Sequence, residues 1–109
     1  MARNITRTEV EEKIKAGKVA VVEALPAEYY EEAHLPGALN LPHDAVDQLA
    51  PGLLPDKQAD VIVYCSNDTC ANSGIAAERL TELGYQNVYK YTEGKQDWIG
   101  AGLPTESGA

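Results

Sequence analysis

Cys65 and Cys70 are the only two cysteines of this 109-residue chain, and the setting of Cys65 points to nucleophilic chemistry. Cys65 ends the apolar run Val61-Ile62-Val63-Tyr64 and is followed by Ser66-Asn67-Asp68-Thr69-Cys70-Ala71-Asn72-Ser73, then by a helical pattern from Gly74 to Leu83. A thiol at a strand-to-helix turn meets converging backbone amides and the partial positive charge of a helix N-terminus. Both favour the thiolate, which is the reactive form. Asp68 works the other way if it points inward, so the sign of the net shift is left open by the sequence. No basic residue lies anywhere from Cys65 to Glu78.

The elements that must hold this loop are legible in the surrounding pattern. Thr6-Arg7-Thr8-Glu9 fits a capping box, with Ile5 and Val10 placed as a hydrophobic staple, and predicts a helix to about Ala16 before Gly17. Val19 to Val22 is an apolar run too short for a helix and reads as a strand buried on both faces. Pro26 opens a short helix over Glu28 to Glu32, and Ala38 to Leu41 gives another short strand ended by Pro42. His43 to Leu49 is weakly helical, and Pro51-Gly52-Leu53-Leu54-Pro55-Asp56 reads as a loop. The strand Val61 to Tyr64 leads into the Cys65 loop, with Asn72 or Ser73 as the expected N-cap of the helix that follows. Asn87 to Tyr91 is the last strand, and Gly94 leads to a short helix around Gln96 to Ala101. Strand and helix alternating at this spacing imply an α/β fold, a mostly parallel sheet of four to five strands with helices on both faces. Sites in such sheets lie at the carboxyl ends of strands, where Cys65 falls.

The length fits one domain, residues 1–109, and the composition is 44% hydrophobic with no run of about 18 apolar residues, so neither disorder nor a membrane span is expected. A net charge of -8 disfavours nucleic acid and anionic membrane surfaces as partners. The acidic residues Glu9, Glu11, Glu12, Glu28, Glu31 and Glu32 are expected on solvated helix faces. The start of the chain shows no apolar leader, which makes a cytoplasmic location the expectation. Neither a disulfide framework nor a metal site is indicated: His34 and His43 are not spaced to complete a ligand set with the two thiols. No cofactor is expected. His34, ahead of Leu-Pro-Gly-Ala, is expected to bond neighbouring backbone, His43 to start a helix or lie exposed, and Trp98 to pack the last helix on the sheet.

The ordered set Val22-Glu23, His34-Leu35-Pro36-Gly37-Ala38, Val63-Tyr64-Cys65, Ala76-Ala77-Glu78-Arg79-Leu80, Leu83-Gly84-Tyr85 and Gly94 through Trp98 to Ala101-Gly102-Leu103-Pro104 resembles a single-domain rhodanese over nearly the whole chain. The resemblance implies a rhodanese-like three-layer fold and a sulfurtransferase. Cys65 would be the catalytic residue, taking a sulfane sulfur as a persulfide and passing it to a thiophilic acceptor such as cyanide or a thiol. Ser66, Asn67, Asp68, Thr69, Cys70, Ala71, Asn72 and Ser73 would form the substrate-binding cradle of backbone amides. The implied partners are a small sulfur donor, a thiol acceptor and conceivably a protein acceptor, and the chain is expected to be a monomer.

The chain departs from the family pattern in three places. Glu23-Ala24-Leu25 stands where an Asp-x-Arg is common, so the pairing that arginine provides is expected to be absent, a change of scaffold. Ala33 and Leu35 replace Gly and Ile in the turn around His34. The loop lacks the basic residue that usually precedes the helix: by plain count Cys70 takes its place, and aligned on Ser73 the loop is about two residues longer. A thiosulfate dianion is then a poorer donor than a persulfide or polysulfide. Two other functional classes remain: a sulfur-carrier or docking module without turnover of its own, and a thiol redox switch using Cys65 and Cys70. A cysteine phosphatase is disfavoured because Ala71 stands where its anion-clamping arginine would be.

Overall fold

The computed structural model describes residues 2–108. In chain order the elements are β1 (Arg3–Asn4), α1 (Arg7–Ala16), β2 (Val19–Glu23), α2 (Ala27–Glu32), β3 (Leu39–Asn40), α3 (Val46–Leu53), β4 (Asp60–Tyr64), α4 (Asn72–Glu82), β5 (Asn87–Tyr91) and α5 (Gly94–Gly100). The strands form one parallel sheet in the order β1-β5-β4-β2-β3. From β2 the chain steps outward to β3, and from β4 it steps outward the other way to β5. The strand order therefore reverses between β2 and β4, which opens a crevice at their carboxyl ends.

Alternation along the central strand builds the two cores. Val61 and Val63 point into one cluster with Val46 and Ala50 of α3 and Ala76, Ala77 and Leu80 of α4. Ile62 and Tyr64 point into the other, with Val10 of α1, Tyr91 of β5 and Trp98 of α5. Successive strand residues face opposite sides, so a strand buried on both must be apolar throughout, as this one is. The result is the three-layer arrangement implied by the sequence.

The capping box at Thr6 and Glu9 is formed as expected, and Gly17 ends α1 in the left-handed region at φ 74°. The first departure is β1, which the sequence reading omitted. It is a two-residue edge pairing of Arg3 and Asn4 with Tyr89 and Lys90, too short to leave a periodic signature. The second is α3, which runs through Pro51 into the stretch expected to be a loop. Val46, Ala50 and Leu54 recur at four-residue spacing and are all buried. Their burial, together with the Tyr85 hydroxyl lying 2.6 Å from the Leu54 carbonyl, outweighs the roughly 3 kcal/mol cost of proline in a helix.

Of the acidic residues placed on solvated faces, Glu9, Glu12, Glu28, Glu31 and Glu32 are exposed, and Glu11 is half-buried with Lys15 3.6 Å away. Among the described residues no helix is long and apolar enough to cross a membrane.

Candidate active site

Cys65 follows the last residue of β4, at the carboxyl end of the crevice between β2 and β4, and is 1% exposed. Its Sγ is 3.5 Å from the buried Ser73 hydroxyl, 3.4 Å from the Cys70 carbonyl and 3.9 Å from the Asn67 carbonyl. The chain from 65 to 73 thus wraps around one sulfur. Asn67 shapes the wrap, since its side-chain oxygen accepts from the Thr69 amide and hydroxyl at 3.1 and 2.7 Å and its carbonyl accepts from the Cys70 amide at 3.2 Å. These are the local bonds by which an Asx turn replaces regular structure.

The loop is tied to α5. The amides of Lys95 and Gln96 donate to the carbonyls of Cys65 and Ser66 at 2.8 and 2.9 Å, so the first turn of α5 spends its free donors on the start of the loop. Gly94 permits that approach at φ 75°.

Beneath the loop lies a buried charge pair. The fully buried Glu23 carboxylate accepts from the Tyr64 hydroxyl at 2.7 Å and from Lys95 Nζ at 3.0 Å. Lys95 Nζ also donates to the carbonyls of Tyr29 and Ala33 at 2.8 and 2.7 Å. The scaffold change expected from the missing arginine takes this form: a lysine from α5 supplies the cation that pairs with Glu23. That lysine is also the positioning residue that sequence reasoning missed. A fully buried carboxylate requires a cation, but choosing Lys95 among nine basic residues requires the fold.

The helix start differs from expectation as well. Neither Asn72 nor Ser73 is the N-cap of α4; Ala71 is, and no side chain of the usual kind caps it. Hydrogen bonding from the amides of Asn72, Ser66 and Ser73 favours a Cys70 thiolate, and the Ser73 amide favours a Cys65 thiolate as well.

This arrangement settles the thiol chemistry left open by the sequence. Burial pushes the Cys65 thiol up, and the neighbouring Cys70 sulfur adds to the rise against hydrogen bonds from Ser73. Burial also works against a charged Cys70, but the hydrogen bond from Cys65 and the amides of Asn72, Ser66 and Ser73 outweigh it and hold that thiol below its ordinary value. For Cys65 the lowering expected from the loop amides is therefore outweighed by burial. Asp68 is exposed at the rim, along with Thr69 and Ala71, while Ser66, Asn67, Cys70 and Asn72 are half-buried.

The remaining sequence candidates have structural roles. The His34 ring donates from Nδ1 to the Tyr30 carbonyl at 2.7 Å, stacks on Tyr30, and its backbone bridges to Glu106. Trp98 is buried edge-on to Tyr91 and donates to the Pro104 carbonyl at 2.8 Å. His43 is half-buried ahead of α3, its amide bonded to the Ala24 carbonyl.

Comparison with known proteins agrees with this architecture. The sequence model of the Rhodanese-like domain matches residues 6–101. The chain is 35% identical over 106 residues to the HTH-type transcriptional regulator Rv0324 of Mycobacterium tuberculosis, covering 96% of this chain but only 45% of that protein. The chain thus spans less than half the length of that relative. It is 28% identical over 98 residues to the thiosulfate sulfurtransferase GlpE of Coxiella burnetii, covering 90% of this chain and 88% of that one. Among solved structures, the BH2092 protein of Bacillus halodurans superposes with a TM-score of 0.88 at 25% identity, over 97% of this chain and 77% of that one. With a family match across most of its length and a parallel sheet that delivers Cys65 to the crevice between β2 and β4, the chain belongs to the rhodanese-like domain family.

Proposed function

We propose that the protein is a sulfurtransferase in which Cys65 attacks the outer sulfur of a sulfane donor, carries it as a persulfide, and yields it to a thiophilic acceptor. The observation that carries this reading is the position of the Cys65 sulfur, at the carboxyl end of the central strand and ringed by the 66–73 loop. The proton that the Cys65 thiol gives up on attack ends on the donor's departing thiol, so one persulfide donor and the Cys65 thiol give a Cys65 persulfide and a free thiol. The outer sulfur then takes up negative charge beside the amides of Ser66, Asn72 and Ser73, which are positioned for an anion before any substrate arrives.

No side-chain cation lies in the loop, and the chain carries a net charge of -8. Both weigh against a free dianion and favour a persulfide or polysulfide donor over thiosulfate. Nucleophile and cradle lie within one chain, while donor and acceptor both come from outside it. Intact mass under non-reducing conditions tests the reading. Incubation of the Cys70→Ser variant with glutathione persulfide is expected to add one sulfur mass, lost on adding cyanide and absent when Cys65 is also changed to serine. A chain that gains no mass from either persulfide or thiosulfate would overturn it.

A further inference from the structure

The relation between the two thiols points past simple sulfur transfer. Cys70 lies five residues from Cys65 on a tight turn closed by its own amide on the Asn67 carbonyl at 3.2 Å, and its carbonyl is 3.4 Å from Cys65 Sγ. The residue is half-buried, so its thiol is reachable from solvent. The amides of Asn72, Ser66 and Ser73 favour its thiolate. These are the same donors a persulfide's outer sulfur would use. One nest of amides cannot satisfy two anionic sulfurs, and like charges held together in a partly desolvated site repel.

We propose that Cys70 is a resolving thiol that converts bound sulfane sulfur to sulfide within the chain. The inference rests on the sulfurtransferase reading, because it starts from the Cys65 persulfide. Cys70 gives its proton to the outer sulfur, and its own sulfur attacks the inner one, the one bonded to the Cys65 side chain. A Cys65–Cys70 disulfide forms, the bond between the two persulfide sulfurs breaks, and its electron pair leaves with the outer sulfur as hydrosulfide. The persulfide is the oxidant in this step, and the electrons come from Cys70. Two external thiols, or one dithiol, then reduce the disulfide by exchange and restore both cysteines. Over one cycle a persulfide donor and two thiols give sulfide, the donor's thiol and a disulfide. The acceptor for the chemistry is therefore a reducing thiol pair rather than a molecule that keeps the sulfur.

The geometry suits this better than a relay of sulfur onto Cys70. The Cys70 backbone already lies against the Cys65 sulfur, its carbonyl 3.4 Å away, so closing the bond needs rotation about the side-chain torsions of residues separated by one tight turn. The disulfide also releases Cys70 from the competition for the amides, because a disulfide sulfur carries no charge.

The test is a single-turnover reaction of reduced protein with a small excess of glutathione persulfide, followed by removal of the donor and read by intact mass and a sulfide-selective electrode. Wild type is expected to release about one sulfide per chain without added thiol and to lose the mass of two hydrogens, with peptide mapping joining Cys65 to Cys70. The Cys70→Ser variant is expected to keep one added sulfur on Cys65 and release at least tenfold less sulfide. Wild type that holds the added sulfur stably, with both thiols still free of a mutual disulfide, would overturn the resolving role while leaving sulfur transfer intact. Failure of both proteins to take up sulfur or release sulfide would overturn sulfur transfer itself, and the resolving role with it.

Discussion

Gly94 sits so close to Cys65 that a Cβ built on it would lie 2.5 Å from the Cys65 carbonyl oxygen and within 2.9 Å of the Asn67 amide nitrogen. Those contacts are with backbone, which has no flexible end to move aside. At φ 75° the position also disfavours any side chain. The glycine therefore sets how closely the start of α5 can hold the loop.

Gly94→Ala is expected to push the loop off α5 and break the bonds from the Lys95 and Gln96 amides. Loss of about 2–4 kcal/mol of stability should accompany at least a tenfold fall in the rate of persulfide formation on Cys65. Urea unfolding and stopped-flow sulfur uptake measure the two effects. Unchanged uptake in a folded variant would remove the argument that α5 positions the loop.

Lys95→Met leaves the Glu23 carboxylate buried without its cation and is expected to cost about 3–5 kcal/mol. Combining it with Glu23→Gln should recover part of that loss, since the double variant no longer buries an unpaired charge. Chemical denaturation of both variants checks the order of stabilities. A double variant less stable than Lys95→Met would show that the pair contributes more than mutual compensation.

The two thiols should alkylate in a defined order as pH rises. A thiol held below its ordinary value is thiolate at lower pH, so Cys70 is expected to react first with iodoacetamide, aided by its greater exposure. Cys65, pushed up by burial and by Cys70, is expected to react only at higher pH. In Cys70→Ser the contribution of the Cys70 sulfur disappears, and the Cys65 profile should shift to lower pH while remaining raised by burial. Site-resolved mass spectrometry across pH 6–10 would reveal it, about two units either side of an ordinary thiol. Faster alkylation of Cys65 than of Cys70 near neutrality would contradict these directions.

Placing a cation at the rim should change the choice of donor. Ala71 is exposed and immediately precedes α4, so Ala71→Arg adds positive charge beside the helix amides without disturbing the core. Its kcat/KM for thiosulfate is expected to rise about tenfold, the effect of roughly 1.4 kcal/mol of added attraction, with a smaller change for a persulfide. Equal gains for both donors would mean that the missing cation does not set donor preference.

Much of this protein follows from local sequence rules. Apolar alternation, short buried runs and the Thr6-Glu9 cap depend on residues a few positions apart, and they place α1, β2, β4 and β5 and put Cys65 at the end of a strand. A proline in α3 and the two-residue β1 escape those rules because their energies come from packing and pairing with distant segments. The same division runs through the site. The strand-to-helix turn marks Cys65 in the sequence, and the absence of a loop cation is visible by inspection. Which cation answers Glu23, and how closely the 66–73 loop wraps the Cys65 sulfur, depend on where distant residues meet in space. Burial and electrostatics act through distance rather than along the chain, so the direction of each thiol's shift emerges only once β4, α4 and α5 are packed together.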